Sequence, residues 1–330
     1  MSVFEMVPAP VRRFARAVLP ARVVDGARAS IMRRFYVKSA ISHEDPMLRV
    51  LRRTFTRRRP TLYHLDFHVT DHCNLNCKGC EQFSCISTPV FADPAVFERD
   101  MARMAELFAG IEQIYLMGGE PLLHKDLGAM VRSARSHFPA SRLYVMSNGI
   151  LVPRMGDTFW DDLRQEDCVL LCDQYPIGTD NDAIDRLGAE HGVKVEWVRP
   201  TEAFFKVPVD PQGRCDPRES FERCRNVTNC ALLTEGRLYP CGRAAYAHIL
   251  AERFDIQGIE AVSADSVSIF DENDGDEIVD FLMSPIPWCA HCDFDSYETY
   301  TWGRTERRAG EWLKAEDVPL PATPVARAGR

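Results

Sequence analysis

The sequence predicts an α/β fold: a partial (βα) barrel of parallel strands, followed by a small cysteine-rich module. Three observations predict it. Short apolar strands alternate with amphipathic helices from residue 61 to about residue 210, that rhythm then breaks into a hairpin signal, and the twelve cysteines gather in two places instead of spreading along the chain. Strands that alternate with helices imply right-handed βαβ units on a parallel sheet. The chemistry of such a sheet sits on the loops at the strands' C-terminal ends.

Residues 1–60 form a basic arm. They hold about fourteen Lys and Arg against about four Asp and Glu, so the net charge of −8 splits into about +10 on the arm and about −18 on the rest. Val11, Phe14 and Val18 stand against Arg12, Arg13 and Arg16, and Ile31, Met32 and Phe35 stand beside Arg33 and Arg34. This pattern predicts short amphipathic helices. They fit a solvated arm packed on the main domain, a peripheral contact with an anionic membrane surface, or a mitochondrial targeting segment.

Tyr63 to Val69 reads as the first strand and leads into a cysteine loop. Asp93 then caps a helix with Pro94 at its first position and Phe97, Met101, Met104 and Phe108 on one face, and Gly110 is expected to end it. Gln113 to Met117 is the second strand, running into Gly118 and Gly119; a helix showing Leu127, Val131 and Ala134 leads to a strand at Leu143 to Met146. Cys168 to Cys172 is a buried strand, a helix capped by Asp180 or Asn181 runs through Leu187 to a stop at Gly192, and Val193 to Val198 is a further strand. The barrel core is expected over residues 61–210. Residues 211–315 are expected to form the second module, with a hairpin of Ala231 to Leu233, a turn at Glu235-Gly236, and Leu238 to Tyr239. Residues 316–330, rich in Pro, Ala and Arg, are expected to be a disordered tail.

Composition excludes several classes. At 330 residues with 45% hydrophobic and 27% charged side chains, the chain can bury a sizeable core. The acidic body argues against nucleic acid as a partner. The cysteines are too dilute for a secreted disulfide scaffold. No run of about 18 apolar residues suits a membrane span and no secretory signal core is present, so a reducing cytoplasm is the expected location.

After the first strand comes Cys73-Asn-Leu-Asn-Cys77-Lys-Gly-Cys80, three thiols on one short loop at a strand's C-terminal end. Three thiolates can hold a cuboidal [4Fe-4S] cluster with one iron left open for another ligand. Zinc, completed by His72 or a later residue, is the alternative. The spacing Cys-x3-Cys-x2-Cys after the first strand of a βα series resembles the signature of the radical S-adenosylmethionine (radical SAM) enzymes. Met117-Gly118-Gly119-Glu120-Pro121 resembles that family's GGEP stretch, whose backbone and carboxylate receive the methionyl amino group of the cofactor. Ser147-Asn148-Gly149 resembles the polar turn that meets its ribose or carboxylate. The resemblance implies a 5′-deoxyadenosyl radical made by reductive cleavage of S-adenosylmethionine at the open iron, with Cys73, Cys77 and Cys80 as catalytic cluster ligands and Gly118, Gly119, Glu120, Pro121, Ser147 and Asn148 as cofactor-binding residues. The family commonly has an aromatic residue before the third cysteine; this chain has Gly79, and Phe83 is expected to cover the adenine instead.

Cys224, Cys230, Cys241, Cys289 and Cys292 form the second group. Cys224-x11-Gly236-x4-Cys241 with a distant cysteine group resembles the superfamily's auxiliary-cluster modules, the short twitch type and the longer SPASM type. The resemblance implies one auxiliary [4Fe-4S] cluster held by Cys224, Cys241, Cys289 and Cys292, with Cys230 able to replace either of the last two. A zinc knuckle at Cys289-Ala-His291-Cys292 is the alternative. Cys85, Cys168, Cys172 and Cys215 are left over, and Cys168 and Cys172 read as core residues.

Polar residues at strand ends are candidate substrate contacts: Asp66, His68, Asp173, Gln174, Tyr175, Trp197 and Arg199. The expected activity is a radical SAM oxidoreductase that abstracts hydrogen from a small polar metabolite (a sugar, cyclitol or nucleotide-linked compound), the auxiliary cluster completing a net oxidation. A flavodoxin- or ferredoxin-type electron donor is the expected partner. Other readings are a ribosomal peptide maturase, an enzyme adding the adenosyl radical to a lipid-like substrate, and a non-enzymatic metal-binding or electron-transfer protein.

Overall fold

The computed structural model describes residue 52 and residues 58–318 except 199, 201–202, 225–230 and 272–273. The basic arm up to residue 57 apart from residue 52, Arg199, Cys230 and the tail from residue 319 lie outside the described residues.

Five parallel strands carry the first half: β1 (Thr61–Thr70), β2 (Gly110–Gly118), β3 (Arg142–Ser147), β4 (Cys168–Cys172) and β5 (Val195–Trp197). Between them lie helices α1 (Pro94–Leu107), α2 (Leu127–His137), α3 (Asp157–Gln165) and α4 (Asn181–His191). Each helix turns a narrow apolar stripe to the sheet, as Phe97, Met101, Met104 and Leu107 do on α1. Asp93 caps α1, accepting the Ala95 amide at 2.8 Å, and Asp180 caps α4, accepting the Ala183 amide at 2.9 Å. Gly192, in the left-handed region at φ 69, stops α4 as expected. Gly110 does not stop α1: the helix ends at Leu107 and Gly110 is the first residue of β2, which begins earlier than its alternating pattern shows because Gly110 and Ile111 pair with Thr61 and Leu62 of β1.

After β6 (Ala203–Lys206) and α5 (Pro217–Arg223), the predicted hairpin forms as β7 (Leu232–Thr234) and β8 (Arg237–Tyr239). Glu235 at φ 47 and Gly236 at φ 72 make the two-residue turn, whose paired positive φ values match the twist of the flanking strands. The buried Asp100 carboxylate on α1 accepts the Gly236 amide at 2.7 Å, fixing the turn to the first helix.

The hairpin does not stand apart from the barrel sheet. β7 pairs in parallel with the free edge of β1, and β9 (Val267–Ser268) extends β8, giving one eight-stranded sheet in the order β5-β4-β3-β2-β1-β7-β8-β9. Helices α6 (Gly242–Phe254) and α7 (Gly275–Leu282) cover the extension, and β10 (Glu298–Thr301) returns to pair antiparallel with β6. Buried apolar side chains form two clusters. One fills the barrel and takes in Leu233, Leu238, Ile278 and Leu282; the other lies under α6 and joins Phe83, Cys85 and Ile86 of the first half to Trp288, Trp312 and Leu313.

Candidate active site with two thiol clusters

Thr70 ends β1, and the loop that follows coils tightly because Asn76 at φ 60 and Gly79 at φ 62 both enter the left-handed region. The coil brings Cys73, Cys77 and Cys80 onto one cavity of about 190 Å³, closed on its other sides by Met117, Gly118 and Gly119 from β2, Met146, Ser147 and Asn148 from β3, and Asp173 and Tyr175 after β4. Three successive strand ends thus converge on the thiols.

Gly119 permits the approach of strand to loop. A Cβ there would land on the His72 carbonyl and lie 3.0 Å from the Cys73 nitrogen. The Gly119 amide instead donates to the Thr70 carbonyl at 2.7 Å, and that of Glu120 to His72 at 2.8 Å. Glu120 and Pro121 lie behind the cavity wall. The fully buried Glu120 carboxylate accepts the Ser147 hydroxyl at 2.8 Å, the Asn148 amide at 2.9 Å and the Leu122 amide at 3.1 Å, so it ties the β2 end to the β3 end. Burial pushes its carboxyl up to about 7 against these three donors. Asn148 Nδ2 donates to Asn74 at 2.8 Å and approaches Cys73 Sγ at 3.8 Å.

The cysteine loop is strapped from the far end of the chain. Lys78 donates its amide to the Gly303 carbonyl at 2.8 Å and Thr305 donates to Asn76 at 2.9 Å, while the Tyr300 hydroxyl donates to the Lys78 carbonyl at 2.8 Å and Trp312 Nε1 donates to the Cys80 carbonyl at 2.9 Å. Trp302 Nε1 donates to Cys77 Sγ itself, at 3.2 Å. Sequence reasoning placed residues 300–312 in the second module and missed this role. The only local signal is a Tyr-Thr-Trp-Gly run among charged residues.

Phe83 does not cover the cavity. Its side chain is fully buried in the second core cluster, 6.2 Å from the Trp312 ring, because its left-handed backbone at φ 58 turns it down from the loop. The space beside Gly79 holds Tyr300, whose hydroxyl sits where a Cβ at residue 79 would fall. A fourth thiol, Cys85, lines the same cavity.

Of the candidate substrate contacts, Asp173 and Tyr175 line the cavity. Burial pushes the Asp173 carboxyl up to about 6. Asp66 instead pairs with His64 at 2.6 Å, and Trp197 Nε1 donates to Asp185 at 2.8 Å. His68 is buried and stacked on Tyr246 at 4.4 Å with no partner for Nδ1, and burial lowers its pKa to about 3, so it stays neutral.

The second group of thiols also comes together. Cys224 ends α5, Cys241 precedes α6, Cys289 lies within a short 3-10 turn (Pro287–His291) and Cys292 follows it; the four line one small cavity with Ser220, Ile286, Trp288 and Phe294. His291 is not among them: its Nδ1 donates to the Asp210 carbonyl at 2.7 Å. Beside the thiols lies the buried guanidinium of Arg243. Nη2 donates to the Val207 carbonyl at 2.8 Å, Nη1 lies 3.7 Å from Cys292 Sγ, and Nε has no partner. Among the described residues no carboxylate forms an ion pair with it. A cation buried this way requires negative charge nearby; the Glu81 carboxylate acts on it electrostatically, and thiolates at Cys292, Cys241 and Cys224 would add to that charge.

Burial pushes the Cys73 and Cys289 thiols up to about 11 and those of Cys77 and Cys241 up to about 12, which favours the neutral thiol near neutral pH, and a bound metal cation would reverse that preference. Among the described residues no three or more His, Cys, Asp or Glu side chains meet at a point fit for a single metal ion. The first thiol set rings a cavity of about 190 Å³ and the second a space of about 10 Å³; thiols spread around a space match a cluster whose ligands each bind a different iron.

The parallel half-barrel carries three thiols on the loop after its first strand and a glycine pair at the end of the second. Residues 67–178, about a third of the chain, match the model of the Radical SAM superfamily. Among curated proteins, GTP 3′,8-cyclase of Staphylococcus aureus is 30% identical over 107 residues, covering 29% of this chain and 30% of that enzyme. The match therefore spans less than a third of that relative. Among solved structures, BtrN in complex with AdoMet and 2-DOIA aligns over 68% of this chain and 83% of its own at 19% identity and TM-score 0.42. SuiB of Streptococcus suis, bound to S-adenosylmethionine, aligns over 42% of this chain and 34% of its own at 14% identity and TM-score 0.34.

Proposed function

We propose that this protein reductively cleaves S-adenosylmethionine and uses the 5′-deoxyadenosyl radical to abstract hydrogen from a small polar metabolite, with an auxiliary cluster completing a net oxidation. The observation that carries the reading is the convergence of Cys73, Cys77 and Cys80, Gly118-Gly119 and Ser147-Asn148 on one cavity. Cys73, Cys77 and Cys80 would hold a [4Fe-4S] cluster with one open iron, and Cys224, Cys241, Cys289 and Cys292 would hold the second. When bound, the first cluster supplies a low-potential electron and an open coordination site.

This chain's residues do the rest. Gly118 and Gly119 let the end of β2 close onto β1 and the cysteine loop and put bare backbone on the cavity wall, where it would meet the cofactor's methionyl end, and Glu120, Ser147 and Asn148 keep the two strand ends at a fixed separation. Asp173 and Tyr175 give the cavity a polar wall suited to the hydroxyl or amine groups of a sugar or cyclitol. The buried charge of Arg243 favours an electron-rich group at the second thiol set. A flavodoxin- or ferredoxin-type protein would supply the electron.

The test is anaerobic reconstitution, an iron and sulfide count, and incubation with dithionite and S-adenosylmethionine. About eight irons per chain and formation of 5′-deoxyadenosine are expected, with a panel of sugars and cyclitols screened for faster formation. Iron-loaded protein that makes no 5′-deoxyadenosine would overturn the radical reading, and about four irons, lost on replacing Cys73, Cys77 and Cys80, would remove the oxidative role of the second module.

A further inference from the structure

The indole N–H of tryptophan is a donor only. In this chain Trp197, Trp288 and Trp312 give theirs to oxygen, on Asp185, Ile259 and Cys80. Trp302 alone among these gives it to sulfur, the Cys77 Sγ at 3.2 Å. The placement is rigid. The residue after it, Gly303, accepts the Lys78 amide, Cys77 and Arg304 form a bridge, and the preceding strand β10 is fixed on β6. An N–H held against a thiol gains strength when that sulfur becomes negative, since hydrogen bonds to charged acceptors are about twice as strong as neutral ones.

We propose that Trp302 is a positioning and tuning residue of the first thiol cluster, an indole N–H delivered from the C-terminal end of the chain to the Cys77 thiolate that makes the bound cluster easier to reduce. The inference rests on the cluster reading above and adds to it a residue outside the family's matched segment, which ends at residue 178. Its direction follows from charge. On reduction the cluster gains one electron from a low-potential one-electron donor, that charge spreads onto the sulfurs, and the N–H dipole stabilises the reduced state more than the oxidised one. The proton stays on the indole. The partner surface of the ring lies toward Tyr175 at 6.2 Å, so the same side chain joins the thiol loop to the polar wall of the cavity.

The experiment is EPR-monitored potentiometry on the full chain, with the first cluster recognised as the signal that changes when S-adenosylmethionine is added. Trp302→Phe keeps the ring and removes the donor. Unchanged iron content with about a tenfold weaker electron affinity is expected, which is about 59 mV more negative for a one-electron couple. Tyr300→Phe, which removes a strap bond to a carbonyl and none to sulfur, is expected to leave the potential unchanged. Iron-loaded Trp302→Phe at the wild-type potential would overturn the proposal, as would an equal shift in Tyr300→Phe. Should Trp302→Phe fail to hold iron, Trp312→Phe protein carrying indole-15N tryptophan decides, since it lacks the indole on the Cys80 carbonyl: a 15N coupling in the pulsed EPR spectrum of its reduced first cluster upholds the bond and its absence overturns it. Wild-type protein without iron would instead sink the cluster reading itself.

Discussion

Replacing Gly119 with alanine tests the convergence of strand and loop directly. Gly119 is not among the residues with positive φ, so the substitution adds crowding without backbone strain. The new methyl would land on the His72 carbonyl, 3.0 Å from the Cys73 nitrogen, and the loop must withdraw to admit it. That withdrawal stretches the Gly119-to-Thr70 bond at 2.7 Å and the Glu120-to-His72 bond at 2.8 Å. At about 1 kcal/mol for each buried bond and about 1–3 kcal/mol for overpacking, the cost is about 3–5 kcal/mol. At about 2–4 °C per kcal/mol, the melting temperature should fall by roughly 6–20 °C. The displaced Cys73 should also cost the first cluster, so iron per chain falls from about eight to about four. Gly156→Ala, where nothing lies within 4 Å of the added carbon, is the control and should change neither reading. A Gly119→Ala protein with wild-type iron and melting temperature would refute the packing of β2 on the cysteine loop.

Arg243→Met should act with opposite signs on the two forms. Apo protein gains on the order of 1 kcal/mol by losing a buried guanidinium with an unpartnered Nε, while the loaded protein loses stability or half its iron; melts with and without a chelator check this. Glu120→Gln turns an amide NH2 toward one of the three donors now facing the carboxylate and should cost about 1–3 kcal/mol, read by urea unfolding. Asp173 has its folded pKa raised from 3.8 to about 6, so the folded state binds its proton more tightly and loses stability as pH rises through that window. Asp173→Asn should therefore melt above wild type at pH 8, by on the order of 1–3 kcal/mol, with the gap closing below pH 4; a gap that stays constant with pH would refute the assignment.

Much of the site was legible because its signals are local. Cys73, Cys77 and Cys80 lie within one loop, Asp93 and Asp180 cap the helices their positions predict, and Cys168 to Cys172 is a strand with the bounds its apolar run shows. The failures are of a different kind. Nothing near Leu232 or Leu233 in sequence says that they will lie beside Asp66 and Phe67, and nothing near Trp302 points to a thiol 225 residues earlier. Glu120 reads as a ligand-facing carboxylate because a motif names its position and not its direction, and Phe83 reads as a cavity wall until its left-handed backbone is seen. Period and spacing report which face of an element is buried. They do not report which distant strand will claim its edge.

The strap on the cysteine loop has a consequence for the order of events during synthesis. Residues 73–80 leave the ribosome early, yet the groups that fix them, from Tyr300 to Trp312, are among the last of the described residues to be made. Earlier still, until β7 at residues 232–234 is made, β1 has one edge open, and such an edge is a site of mispairing. The first thiol set therefore reaches its final shape only once residues 300–312 have been made and have folded back. Iron delivered before that point would meet a loose loop; iron delivered after it meets a mould.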